Sequence, residues 1–261
     1  MRRVAVGAAL LVAAATSAPG HDTWILPGAF RVAPGAVVRM AMTSGMDFPR
    51  PESGIEPERV FRSGLRVGGG TVPLRLEGGK VALSLSAVAP GSGVAALFVE
   101  LKARTLELAP DEVEHYLEEI GATQTAGPRW RARADRRWRE SYVKLAKSYV
   151  GVGDGADASW TAPVGFSLEL MPESDPTRLR RGDALAVRAL LDGRPLAGLP
   201  VGAVGPRGVL PPRPTDGEGR VRFALEDAGP WLIRSTRLVE DDGRELDWRS
   251  WFTTLTFGVA P

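Results

Sequence analysis

Val81-Ala82-Leu83-Ser84-Leu85 alternates apolar with small or polar side chains. A period of two places Val81, Leu83 and Leu85 on one face of an extended chain, which is the mark of a half-buried strand. Phe166, Leu168 and Leu170 repeat the pattern in the second half of the sequence. Further short apolar runs surround these two stretches. Phe30–Val32, Val37–Met42, Leu65–Val67, Val72–Leu76 and Val94–Leu101 lie in the first half. Leu185–Leu191, Val201–Val204, Val221–Leu225, Trp231–Ile233 and Thr253–Phe257 lie in the second. Turn residues divide them, among them Pro34-Gly35, Gly68-Gly69-Gly70, Gly78-Gly79, Pro90-Gly91 and Asp192-Gly193. Short strands punctuated in this way predict a mostly β chain of antiparallel sandwiches. The 31 glycines and 21 prolines agree with a fold of many turns.

Between the two strand-rich regions the texture changes. Pro110-Asp111-Glu112 suits a helix start and Gly121 its end, with Val113, Tyr116, Leu117 and Ile120 on one face. A second, longer helix is expected from Trp130 to Val150, because Trp138, Tyr142, Leu145 and Tyr149 recur at three- and four-residue intervals. Its front half is basic: Arg129, Arg131, Arg133, Arg136, Arg137 and Arg139. Gly151 to Asp157 reads as a linker. The expected division is a signal peptide at 1–20, an N-terminal β-sandwich at 21–108, a helical insertion and linker at 109–157, and a C-terminal sandwich at 158–261.

The signal reading rests on Arg2 and Arg3, the apolar run Val4–Ala15, and the small residues before His21. The run is too short to span a bilayer, which takes about 20 residues. Ala18 and Gly20 occupy the −3 and −1 positions for cleavage before His21. The chain carries 33 basic and 31 acidic residues. The signal holds two arginines and no acid, so the mature chain is balanced at 31 of each. That balance gives no electrostatic case for nucleic-acid or membrane binding, and after cleavage the chain is expected not to be an integral membrane protein. There is no cysteine, which excludes disulfides and thiolate metal sites. The expected location is the periplasm or the cell exterior.

Cleavage makes His21 the first residue. Its α-amine and imidazole Nδ1 can then hold one metal ion in a six-membered chelate, and nitrogen ligands suit nickel, cobalt, copper and zinc. His115, the only other histidine, is a candidate third ligand. Asp22, Asp47 and Glu118 are possible oxygen donors without a selecting spacing. Met40 and Met42 share a strand face and read as core. The arginines read as a solvated helix face with an acidic surface nearby. No nucleophile elbow, phosphate loop or spaced carboxylate pair is present, so no enzyme is expected.

Taken in order along the chain, several motifs resemble a periplasmic family known as NikM-like, labelled as a periplasmic component of nickel/cobalt transport. They are His21-Asp22-x-Trp24-Ile25-x-Pro27, Tyr116-Leu117-x-x-Ile120-Gly121, Arg139-Glu140-Ser141-Tyr142 with Ala146-Lys147, and Leu168-Glu169-Leu170-x-Pro172. Gly193-x-Pro195-Leu196-Ala197-Gly198, Thr215-Asp216-x-x-Gly219 and Gly229-x-Trp231 continue the series. The resemblance implies two β-sandwich domains, the second immunoglobulin- or transthyretin-like, with a helical insertion between them. It also implies nickel or cobalt as the metal and a membrane metal transporter as partner. Where such relatives often carry a histidine after the Gly-x-Trp motif, this sequence has Arg237. The expected function is thus non-enzymatic binding or hand-over of a transition metal, with His21 and His115 as ligands. A different class is a metal-free scaffold or adhesion module that binds an envelope protein or glycan. Its motivation is the seven tryptophans and the Trp248-Arg249-Ser250-Trp251 segment.

Overall fold

A computed structural model describes residues 20–261 except 156 and 244; apart from Gly20, the expected signal segment lies outside the described residues. The first half supplies β1 (Asp22–Pro27), β2 (Arg31–Val32), β3 (Val37–Gly45), β4 (Val60–Val67), β5 (Gly70–Val72), β6 (Arg75–Glu77), β7 (Leu83–Val88), β8 (Gly93–Leu101) and β9 (Arg104–Leu108). Two helices follow, α1 (Pro110–Glu119) and α2 (Gly127–Arg131), and then the long strand β10 (Trp138–Val152). The rest is β11 (Leu168–Pro172), β12 (Ala184–Leu191), β13 (Arg194–Pro195), β14 (Pro200–Gly205), β15 (Gly208–Pro214), β16 (Arg220–Ala224), β17 (Gly229–Glu240) and β18 (Trp248–Val259).

These strands form three sheets. One runs β1-β3-β7-β6, and another runs β11-β12-β13 with β16 on β12. The largest has ten strands in the order β15-β14-β17-β18-β10-β8-β4-β5, with β2 and β9 also paired to β10. The chain is mostly β, as its alternation predicts, and the sheets pack face to face. Period-two side-chain geometry explains how one large sheet serves two cores. From β8, Ala95, Leu97, Val99 and Leu101 enter the core shared with the first sheet, whereas Val94, Ala96 and Phe98 enter the core shared with the β11-β12 sheet. β10 does the same, with Ala146, Val150 and Val152 on one side and Leu145 and Tyr149 on the other.

Double-sided burial is also why the expected helix from Trp130 to Val150 is wrong. Only Gly127–Arg131 is helical there, and Trp138–Val152 is a strand. With both faces apolar, hits at three- and four-residue spacing occur without any helical period, and a buried strand becomes indistinguishable from a buried helix. β10 runs antiparallel to β8 and β9 and parallel to β18. The single run Val72–Leu76 is likewise divided, since β5 joins the large sheet and β6 the first one. Helix α1 matches its expected start. Pro110 opens it, and Glu112 Oε2 accepts the Ala109 N–H at 2.8 Å. Its buried Val113, Tyr116 and Leu117 pack with Trp130, Trp138, Trp248 and Phe252 over one end of the large sheet.

Candidate functional site

The motif that opens the expected mature chain is, first, an anchor. Trp24 is fully buried with Phe48, Val204 and Leu232, and meets Phe48 edge-on at 5.6 Å. Ile25 enters the core beneath the first sheet. β1 pairs with β3 from Asp22↔Gly45 to Pro27↔Met40. On its other side, Thr254 Oγ1 donates to the Thr23 carbonyl at 2.6 Å and Thr256 Oγ1 to the Ile25 carbonyl at 2.5 Å. These bonds reach almost to His21, so its position is fixed by the fold, whereas chain ends are commonly loose.

Two cations complete the hold. Arg234 of β17 pairs with the Asp22 carboxylate. Lys144 of β10, itself buried, donates from Nζ to the His21 carbonyl at 2.7 Å. Burial pushes the Lys144 ammonium down to about 8, Asp22 and Glu119 oppose that shift, and Arg59 adds to it. The ammonium also lies 5.5 Å from the Phe252 ring centroid and 5.9 Å from that of Tyr142. Lys144 is not legible as a site residue while Trp130–Val150 reads as a helix, because helical spacing does not direct it towards His21. Two lysines, Lys144 and Lys147, within the otherwise largely apolar run Tyr142–Val152 are the available signal, since lysine is seldom buried without a task or a partner.

His21 Nδ1 is buried and has no hydrogen-bond partner. The indole N–H groups of Trp24 and Trp248 share that condition, but an indole can only donate. An imidazole nitrogen can present a lone pair to a metal. Beside it, the Glu119 side chain fills the space that a Cβ on Gly20 would need. His115 Nε2 lies 3.2 Å from Glu119 Oε1, and the His115 side chain is 77% exposed against 14% for Glu119. Glu119 therefore stands between Gly20, the residue before His21, and His115. Among the described residues, no three or more His, Asp or Glu side chains gather in a group able to hold a metal ion. A site at His21 thus depends on the α-amine that cleavage would create. The residues fit a nitrogen chelate at the terminus and do not form a closed cage of side chains.

A cavity of about 380 Å³ opens next to this cluster. Gly20, Asp22, Glu118 and Glu119 line one side and Arg234 and Arg237 another, with Leu196, Leu210 and Pro212 supplying apolar wall. Pairing of β14 with β17 covers only Leu232 to Arg234, and beyond that point the β17 edge lines the opening. Arg237, at the position noted for histidine in relatives, thus faces the same cavity as Gly20 and Asp22.

The other sequence candidates lie elsewhere. Met40 and Met42 are buried in the core, as expected, while Met46 is exposed and Asp47 pairs with Arg50. The basic segment finds the anticipated acids: Arg133 and Arg137 converge on buried Asp247, Arg131 pairs with Glu114 and Arg129 with Glu240. The tryptophans near the C-terminus form no exposed patch. Trp248 is buried and stacked on Trp138 at 4.7 Å, and Trp251 packs half-buried against the core. Two buried carboxylates, Glu140 and Glu169, carry no signal in the sequence pattern. Glu140 accepts from the Tyr116 hydroxyl at 2.8 Å, from Trp138 Nε1 at 2.9 Å and from the Ser250 hydroxyl. Glu169 pairs with Lys147 at 2.6 Å and accepts the N–H groups of Val164, Gly165 and Phe166. Both are saturated by donors and serve packing.

No helix among the described residues is long and apolar enough to cross a membrane. The family described as a domain of unknown function (DUF4198) matches residues 18–237, and the chain belongs to that family. No curated protein matches. Among solved structures, the D0-D1 domain of intimin is similar at 9% identity and a TM-score of 0.24, covering 91% of this chain and 97% of that one. A 1.5-MDa bacterial ice-binding adhesin is similar at 12% identity and a TM-score of 0.26, covering 92% of this chain and 64% of that one. The adhesin InvE of Yersinia pseudotuberculosis is similar at 11% identity and a TM-score of 0.23, covering 90% and 58%.

Proposed function

We propose that this member of the DUF4198 family is an exported, non-enzymatic protein of the periplasm or cell exterior that binds a divalent transition metal and hands it on. His21 is the anchor of the site, through its α-amine and imidazole Nδ1, with nickel or cobalt as the cargo and a membrane metal transporter as the recipient. The observation that carries the reading is the buried His21 Nδ1 without a partner, on a residue whose carbonyl is fixed by Lys144. A buried polar atom left unsatisfied is costly, and a bound metal would satisfy it. Glu119, packed against Gly20 and paired with His115, is the candidate oxygen donor on that side. Copper and zinc are compatible with the same nitrogen donors.

The test is calorimetry of nickel and cobalt binding to the chain beginning at His21. The comparison is a chain with an extra N-terminal residue and the variant His21→Gln. Each change removes one nitrogen of the chelate and should weaken binding by roughly tenfold or more. Equal affinity for all three proteins would remove the terminus from the site.

A further inference from the structure

We propose that a second cavity, between Phe30, the Thr177–Arg180 segment and the end of β18, binds a small aromatic monocarboxylate with Arg180 as its anion anchor. Its volume is about 580 Å³, within the range of small-molecule pockets, about 300–1,000 Å³. It shares no lining residue with the cavity beside Gly20 and Asp22. Cleavage before His21 therefore leaves its lining intact, and the site stands independently of the metal reading.

The wall is held in place by backbone contacts. The Ala260 N–H donates to the Leu179 carbonyl at 2.9 Å, and the Arg181 N–H donates to the Ala260 carbonyl at 2.8 Å. These bonds tie the segment between β11 and β12 to the end of β18. Arg31 of β2 donates to the carbonyls of Gly153 at 2.8 Å and Thr177 at 3.2 Å. The Phe30 ring is seated on β18, since a Cβ on Gly258 would stand 2.6 Å from it. Half-buried, that ring joins Leu179, Pro230 and Val259 as the apolar part of the lining. A flat aromatic body gains there both by burying apolar area and by ring-to-ring contact.

Charge specifies the other end of the ligand. Arg31, Arg178 and Arg180 line the cavity, and no aspartate or glutamate does. Two of these arginines are already engaged. Arg31 holds its two carbonyls and lies 3.8 Å from Asp154. Arg178 pairs with Asp175 at 3.3 Å and donates to the Asp154 carbonyl at 3.1 Å. Arg180 differs. Its backbone N–H donates to Asp183 Oδ2 at 2.8 Å. Its exposed guanidinium makes no ion pair or side-chain hydrogen bond among the described residues, Pro261 included. An arginine in that state presents its donor fork to a planar carboxylate, which it binds bidentately. One unused fork matches one carboxylate, whereas a polyanion would call for further free cations that the lining does not supply.

Equilibrium dialysis of radiolabelled 2-naphthoate against the chain beginning at His21, with chelator present, tests the proposal. The expected result is saturable retention at close to one per chain. Arg180→Ala should retain the probe roughly tenfold or more weakly. Arg180→Lys, which keeps the charge without the fork, should fall between the two, and near-ultraviolet circular dichroism checks that both variants fold. Acetate carries the charge without the rings, and 2-naphthamide carries the rings without the charge. Each should compete at least about tenfold less well than unlabelled 2-naphthoate. No saturable retention, equal retention by Arg180→Ala, or displacement by acetate as effective as by 2-naphthoate overturns the inference. Because chelator removes any metal, none of these outcomes bears on nickel or cobalt binding at His21.

Discussion

Replacing Lys144 by methionine should stabilise the metal-free protein near pH 7 and cease to do so in alkali. The side chain is buried and its ammonium makes one hydrogen bond, to the His21 carbonyl. Burial lowers its pKa from 10.5 to about 8. At neutral pH the charged form therefore costs the fold about 3 kcal/mol relative to the unfolded chain. Methionine, an unbranched apolar chain of similar length, would lie beside the Tyr142 and Phe252 rings and would remove that cost. It also leaves the His21 carbonyl without its donor, a loss of about 1 kcal/mol. The expected net gain is thus about 2 kcal/mol at pH 7. The sign with pH follows from proton counting. Between about pH 8 and 10.5 the unfolded chain holds a proton on Lys144 that the folded chain has released, so parental stability rises with pH across that window. Methionine has no such dependence, and its advantage should vanish by about pH 10.5, leaving only the small loss from the unpaired carbonyl. Urea denaturation of both proteins, with chelator present, at pH 7 and near pH 10.5 measures the two differences. A methionine variant less stable than the parent at pH 7, or a difference that does not change with pH, would refute the reasoning.

Glu169→Ala leaves the buried Lys147 ammonium and three backbone N–H groups without their acceptor. It should cost about 3–5 kcal/mol, and the double variant with Lys147→Met should recover part of that loss in thermal denaturation. Gly219→Ala forces a side chain onto a backbone at φ +77, with its Cβ 2.7 Å from the Ala189 carbonyl oxygen and 3.0 Å from the Leu196 nitrogen. A loss of about 2–4 kcal/mol is expected. Gly217→Ala, where the same atom meets open space, should stay within about 0.5 kcal/mol of the parent.

The Gly219 contrast also shows what the C-terminal motifs are for. Thr215 Oγ1 donates to the Leu196 carbonyl at 2.6 Å and accepts the Leu199 N–H at 3.0 Å, while Asp216 Oδ1 accepts the N–H groups of Glu218 and Arg220. Asp192 and Gly193 both have positive φ in the turn joining β12 to β13, as a two-residue hairpin requires. Motifs that looked like family signatures in this half are turn chemistry. They speak for the fold and are silent about cargo.

By itself, the sequence determined the strand-rich character, most strand positions and helix α1, because period-two alternation, glycine turns and a proline start are local properties. Leu83 and Leu85 of the opening stretch are buried as their alternation requires, while Val81 lies outside β7 and is half exposed. It also singled out His21, through the residues that precede it. Tertiary structure decided the rest. β10 is a strand because β8, β9 and β18 pair with it and both its faces are covered, and a segment buried on both faces has no period from which to read its state. Lys144, Arg234 and Glu119 are brought to the Gly20–Asp22 segment by three different elements. Such convergence depends on sheet order, and no local pattern of side chains records it.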